Sequence, residues 1–180
     1  WATLGADAAA NKDVPEFITK ILEPVNAQKG DDLPVSTFVG AEDGTFPAGS
    51  AAYEKRGIAT FIPEWVPENC IQCNQCSYVC PHATIRPFLL TADEKAAAPE
   101  GMVTIKAAGG KAFEGYEYKI QVAPLDCVGC GNCADICPGK KGEKALVMKH
   151  LGTQTAVEVP NWEYVSKKVT YKDTVVSKES

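Results

Sequence analysis

The chain contains CIQCNQCSYVCP at residues 70–81 and CVGCGNCADICP at residues 127–138, two copies of one cysteine pattern. In each copy three cysteines are separated by two residues, a fourth follows after three more, and a proline comes next. These two runs hold all eight cysteines of the 180-residue chain. Three thiolates at this spacing can converge from one loop on a small body, whereas the fourth has to come from elsewhere. The pattern therefore predicts two sites with four thiolates each.

The double run is typical of proteins that bind two [4Fe-4S] clusters. In the bacterial two-cluster arrangement, the last cysteine of each run binds the cluster of the other run. A zinc site would use four ligands and leave the third and fourth cysteines of each run unexplained. Disulfides would need an oxidising compartment, and the chain opens without a signal segment. We expect cluster one to be held by Cys70, Cys73, Cys76 and Cys137, and cluster two by Cys80, Cys127, Cys130 and Cys133.

The composition limits the classes of partner. The formal net charge is −5, and each oxidised cluster with its thiolates adds about −2, so nucleic acid is not expected as a partner. No apolar run approaches the roughly 20 residues that span a bilayer, so no membrane contact is expected. We expect a soluble chain in the reducing cytoplasm. Because the chain begins with Trp1 rather than methionine, we also expect it to be a piece of something longer.

The pattern along the chain predicts three parts. Residues 1–56 lack cysteine and should form a short helix and an extended docking arm rich in turn residues. Residues 57–152 should form the two-cluster domain, and residues 153–180 a linker to a following domain. The helix should bury one apolar face, with Asp13 as its cap and Pro24 as its end. That face consists of Val14, Phe17, Ile18, Ile21, Leu22 and Val25.

The two-cluster domain shows internal duplication. A strand candidate precedes each run, at 57–62 and 118–123, and an apolar patch follows each run, at 83–85 and 145–147. Further strand candidates at 102–106 and 116–122 flank Gly109-Gly110 and predict a hairpin insertion between the runs. The expected fold is therefore α+β, a bacterial ferredoxin-like domain with a hairpin insertion and an extended N-terminal arm.

The two cluster loops differ in their small residues. The second loop has Gly129 and Gly131, which permit close backbone approach, whereas the first has amides, including Asn74, which tolerates a left-handed conformation. We therefore predict slightly unequal reduction potentials. His82 is interpreted as an ordinary histidine, because the cysteines already complete both clusters.

A basic group follows the last cysteine. Lys140, Lys141 and Lys144 form either an ordinary solvated turn or a patch that steers an acidic redox partner to the cluster bound by Cys137. No phosphate-binding loop or nucleophile motif is present in the sequence. The chain alone is therefore predicted to have no catalytic site.

Beyond the cysteines, the chain resembles the electron-transfer domain of the pyruvate:ferredoxin (flavodoxin) oxidoreductases. The resemblance covers roughly residues 30–150, and one departure is the stretch 48–51, where a Thr-rich run is expected. It is carried by LPVSTF at 33–38, DGTFPAGS at 43–50, EKRGIA at 54–59, PEW at 63–65, ENCIQC at 68–73 and GCGNCADICP at 129–138.

The resemblance implies a parent enzyme that cleaves pyruvate with coenzyme A and releases electrons singly. Thiamine diphosphate and Mg would bind in the rest of this parent, a homodimer, with a further cluster beside the thiamine. The two clusters of this chain would then pass electrons to external ferredoxin or flavodoxin. A free-standing two-cluster ferredoxin, a small subunit of a multi-subunit 2-oxoacid oxidoreductase and a purely structural cluster protein remain as alternatives.

Overall fold

The computed structural model describes residues 14–175, and its contacts divide the chain into two units between Arg56 and Gly57. The predicted cap Asp13 lies outside the described residues. Among the described residues, none of the helices combines the length and apolar character needed to cross a bilayer.

The first unit begins with a helix that buries an apolar face. A π-helical stretch, Ile18–Leu22, leads into α1, Glu23–Asn26. Of the predicted apolar face, Ile18, Ile21 and Leu22 are buried, Val14 and Phe17 are half-buried, and Val25 is exposed.

The prediction that Pro24 ends this helix is wrong, because α1 continues to Asn26. Proline has no N–H, so it is tolerated where the regular helical pairing is already interrupted. The preceding π turn provides that interruption, since the N–H of Glu23 bonds to the carbonyl of Ile18, five residues back.

Residues 30–56 form turns rather than an extended arm. Three short 3-10 helices occur at Gly30–Asp32, Val35–Phe38 and Ser50–Tyr53. Phe46 packs edge-on against Phe17 at 5.1 Å between ring centres, and Arg56 donates a hydrogen bond to the Asn26 side chain. These contacts fold the segment back onto the helix of its own unit.

The second unit contains two small antiparallel sheets. In one, β1 (Phe61–Trp65) pairs with β5 (Leu146–His150), with Phe61 opposite His150. In the other, β4 (Glu117–Val122) is the central strand between β2 (Ile85–Leu90) and β3 (Ile105–Lys106). The helices of this unit are α2 (Gln75–Tyr78), α3 (Ala92–Ala96), α4 (Asn132–Ile136) and α5 (Leu151–Lys167).

The first strand begins later than the expected 57–62. Gly57 is in a left-handed conformation with φ of 56°, and its N–H donates to the carbonyl of Leu125, so the chain joins the sheet only at Phe61. Pro63 lies inside β1 and Pro87 inside β2. Both strands have a single hydrogen-bonded neighbour, and a proline without an N–H is tolerated on such an edge.

The core of the second unit is built around cysteine positions. Cys76 and Cys133 are buried with apolar residues of four different strands. Those residues are Ile85, Tyr118, Ile120, Leu146 and, partly buried, Trp65. The cysteine runs therefore organise the hydrophobic core as well as the metal centre.

The segment predicted as a linker from residue 153 is instead mostly the helix α5, which packs against β4, β1 and β5. Pro160 lies inside it and removes one backbone hydrogen bond. The burial of Leu151, Asn161 and Val165 compensates for this loss, and the Gln121 side chain donates to the Glu158 carboxylate at 2.6 Å.

Glu94 ties the chain after α5 to the start of α3. Its side chain accepts the backbone N–H of Thr91 in a capping box, and it also accepts the backbone N–H of Thr170 at 2.9 Å. Lys172 Nζ lies 2.9 Å from both carboxylate oxygens. Burial alone would raise the pKa of Glu94, but the hydrogen bonds, led by the one from Lys172, lower it to about 2.

We predict that Glu94→Gln loosens residues 168–172. Losing a carboxylate with charge-assisted hydrogen bonds should cost about 2 kcal/mol of local stability and speed amide exchange there more than tenfold. Because the folded pKa is depressed, this contribution is full above a pH of about 4.5 and is lost as the pH falls toward 2. Hydrogen exchange between about pH 5 and 8 should therefore show a constant difference, and the exposed-site control Glu114→Gln should show none.

Candidate metal centre

The eight cysteines surround two separate cavities. Three thiols of the first run line cavity one together with Cys137 of the second run. Three thiols of the second run line cavity two together with Cys80 of the first run. The grouping is the one expected from the sequence: cavity one has Cys70, Cys73, Cys76 and Cys137, and cavity two has Cys80, Cys127, Cys130 and Cys133.

The two cluster loops have the same backbone shape. Gln72 and Asn74 in the first loop have φ of 58° and 60°, and Gly129 and Gly131 at the matching positions of the second have φ of 71° and 83°. In both loops a backbone N–H lies 3.4 Å from the sulfur two residues earlier. Each loop thus curls around its cavity and turns N–H groups toward sulfur.

Glycine at position 129 is required by space as well as by φ. A Cβ there would lie 2.9 Å from the carbonyl oxygen of Phe61, closer than side-chain carbons normally approach. A Cβ at Gly131 would meet nothing within 4 Å. The second loop therefore packs directly against the backbone of β1.

The first loop stabilises its left-handed residues with side-chain hydrogen bonds. The Gln72 amide donates to the carbonyl of Lys106 and accepts from the N–H of Ala108, both at 2.8 Å. Asn74 accepts the hydroxyl of Tyr118 at 2.6 Å. The role of Asn74 was foreseen from its residue type, whereas Gln72 was missed, although aligning the two runs places it opposite Gly129.

Burial keeps several thiols protonated until metal binds. Desolvation is the largest cause that raises the pKa of Cys76 to about 11 and that of Cys133 to about 12. The thiolate is the form that binds iron, so cluster binding must release these protons. Positive iron ions are therefore needed to stabilise the charged form in both cavities.

Thr84 distinguishes cavity two from cavity one. It is buried, its hydroxyl lies 3.4 Å from the sulfur of Cys80, and its backbone N–H donates to the same sulfur at 3.3 Å. Burial alone would raise the pKa of Cys80, but hydrogen bonds, led by the Thr84 hydroxyl, lower it. The corresponding position after Cys137 is Lys141, which has no hydroxyl.

The cavities fit a cluster better than a single ion. Among residues 14–175, no group of three or more His, Cys, Asp or Glu side chains is arranged to hold one metal ion. Four thiols spread around a cavity suit a larger body such as a four-iron cluster.

The indole Nε1 of Trp65, in the wall of cavity one, is buried without a hydrogen-bond partner among the described residues and is a spare donor there.

The other predicted residues lie at the surface. His82 is exposed and contributes to the wall of cavity two. Lys140, Lys141 and Lys144 are exposed in the turn after Cys137, where Lys144 Nζ donates to the carbonyl of Asp135 at 2.7 Å. Their role in docking stays a prediction.

Two parts of the chain match known family models. Residues 5–59 match the EKR family, described as a domain of unknown function, and residues 63–138 match the family described as 4Fe-4S dicluster domain. The dicluster match means that the chain binds two [4Fe-4S] clusters.

Several full-length relatives contain a segment similar to nearly the whole chain. The chain is 57% identical over 168 residues to the pyruvate:ferredoxin oxidoreductase of Moorella thermoacetica, which is 93% of the chain and 14% of that protein. It is 54% identical to the pyruvate-flavodoxin oxidoreductase of Klebsiella pneumoniae, over 91% of the chain and 14% of the relative. It is 53% identical to the mitochondrial pyruvate dehydrogenase [NADP(+)] of Euglena gracilis, over 93% of the chain and 9% of the relative. The chain therefore spans about a seventh or less of these proteins.

We predict that Thr84→Val lowers the reduction potential of the cluster that cavity two is expected to bind. Hydrogen bonds to cluster sulfur favour the more negative reduced state, and valine removes one donor while keeping the shape. Thr84→Ser, which keeps the hydroxyl, should restore the wild-type value. A redox titration monitored by electron paramagnetic resonance tests this. If Thr84→Val shifted the reduction potentials of both clusters equally, the prediction would be contradicted.

Proposed function

Because residues 63–138 form a 4Fe-4S dicluster domain, we propose that this chain is the electron-transfer segment of an enzyme of the pyruvate:ferredoxin oxidoreductase kind. The observation that carries the proposal is the pair of four-thiol cavities, each built from both runs. A bound [4Fe-4S] cluster accepts and releases one electron at a time. The chain's own residues supply the thiolates, turn N–H donors toward sulfur and keep water from the buried faces.

The proposed ligands follow the cavity walls. Cluster one would be bound by the thiolates of cavity one and cluster two by those of cavity two. In each cavity one cysteine is exposed, Cys73 in the first and Cys130 in the second. Both clusters would therefore come close to the protein surface. One can then receive electrons from the parent enzyme, and the other can pass them to an external carrier.

The rest of the proposed enzyme lies in polypeptide beyond this chain. The similar relatives are at least about seven times longer, which leaves ample chain for a thiamine diphosphate and Mg site, a coenzyme A site and a homodimer interface. We propose pyruvate as the 2-oxoacid and ferredoxin or flavodoxin as the acceptor, because the names of the relatives specify them.

Residues 1–56 and the chain after α5 would then contact the remaining domains, and the hairpin between the runs would support the first cluster loop. We further propose a reducing, cytoplasmic location for this chain.

A free-standing ferredoxin is less well supported. The alignments run through 91% to 93% of the chain inside much longer oxidoreductases, so similarity extends well beyond the cysteine runs. A carrier that needed only its clusters would not require the helical unit that precedes residue 57.

We predict that Cys137→Ala removes cluster one and spares cluster two. The wild-type chain should contain about eight iron and eight labile sulfide, and the variant about four of each, because cavity one loses a ligand from the other run. The mirror variant Cys80→Ala should remove cluster two instead. In the double variant Cys137→Ala with Thr84→Val, the reduction potential of the surviving cluster should still be lowered. If each variant destroyed the cluster of its own run, the proposed ligation would be wrong.

The exposed basic turn provides a test of the proposed acceptor. We predict that the double variant Lys140→Glu and Lys141→Glu slows electron transfer to an acidic ferredoxin and weakens the salt dependence of its rate, because the turn adjoins cavity one. Lys167→Glu with Lys168→Glu changes the net charge equally at the end of α5 and should have little effect. Stopped-flow rates with the full-length enzyme, measured at several ionic strengths, decide between local docking and net charge.

A further inference from the structure

Lys119 is a buried cation in the middle of β4. Only 3% of its surface is exposed. Its ammonium donates to the carbonyl of Val103 at 3.3 Å and lies 5.2 Å from the centre of the Trp65 ring. Within the described part of the chain, Lys119 takes part in none of the salt bridges, and Glu158 is the carboxylate whose charge acts on it.

Such a position is costly unless negative charge lies nearby. Burying an ammonium with one hydrogen bond and no paired carboxylate sacrifices most of its hydration. Burial lowers the pKa of Lys119, and the charge of Glu158 opposes that shift. Within the protein itself, Trp65 and Val103 supply only weak compensation, so a further anion would stabilise this arrangement.

The metal centre supplies that anion on the side of cavity one. Trp65, whose ring centre lies 5.2 Å from the ammonium, belongs to the wall of cavity one. The wall of cavity two contains one basic side chain, His82, which is exposed to solvent. The buried cation is therefore placed asymmetrically with respect to the two cavities.

We propose that Lys119 is a positioning residue for electron transfer, whose buried ammonium raises the reduction potential of cluster one relative to cluster two. The proposal rests on the ligation proposed above. Reduction adds one electron to the cluster, no covalent bond is formed or broken, and the proton stays on the ammonium. Because the reduced cluster is more negative by one charge, the attraction to Lys119 strengthens on reduction.

The test compares charge removal at a buried and an exposed site. In cluster-loaded protein, Lys119→Met should shift the distribution of one added electron between the clusters at least tenfold toward cluster two. This corresponds to a change of 59 mV in the difference between the two potentials. Lys119→Arg should stay near the wild type because it keeps the charge. Lys149→Met removes an exposed lysine from β5, beside Met148 of the cavity two wall, and should move neither potential appreciably, because solvent screens that charge.

A second variant with the opposite sign covers the case in which Lys119→Met fails to fold or to bind clusters. Glu158→Gln keeps an acceptor for Gln121 and removes the anion that faces Lys119, so it should raise the potential of cluster one. The proposal is overturned if either variant, with both clusters bound, leaves the difference between the two potentials unchanged, or if Lys119→Arg shifts it as much as Lys119→Met. Because these readings require two reducible clusters, a negative result leaves the proposed ligation and function standing.

Discussion

The fourth thiol of each cavity comes from the other cysteine run, and this exchange constrains the rest of the second unit. Neither cavity can close until two segments almost 60 residues apart in sequence lie side by side. The β1–β5 ribbon and the sheet centred on β4 bring these segments together. The buried cysteines then become core residues, so the hydrophobic interior and the metal centre form as one structure.

The same constraint sets the chemistry of the thiols. A wall that is dry enough to exclude water also raises the pKa of Cys76 and Cys133, so charge can be placed there only together with iron. The release of these thiol protons is therefore part of the cost of loading the folded protein. The hydrogen bonds to Cys70, Cys80 and Cys127 offset part of the cost of gathering several thiolates in a small volume.

The features of the fold and of the metal centre that depend on residue spacing could be predicted from the sequence. The expected cysteine grouping matches the thiols that line the two cavities, the strand candidates at 116–122 and 118–123 coincide with β4, and the apolar patch at 145–147 overlaps β5. Features that depend on contacts between distant residues could not be predicted. Residues 153–180 were expected to form a linker, yet α5 spans much of this segment, and its buried contacts outweigh the hydrogen bond lost at Pro160. Lys119 was not noted because a lysine in a strand usually points to solvent, and only the packing around β4 shows that it does not.

The departures from internal symmetry give the two halves different electrostatics. Cavity two has the Thr84 hydroxyl against its cross-run thiol, whereas cavity one has Lys119 and the unpartnered Trp65 N–H beside its wall. Under the proposed ligation, each of these features would favour the reduced state of the cluster it adjoins, but they would act on different clusters. A contribution to one cluster alone would change the free energy of electron transfer between the two clusters. The two contributions would therefore act in opposite directions on the difference between the two potentials. The two runs therefore share a cluster-loop backbone and a four-thiol grouping but differ in the residues around the cysteines.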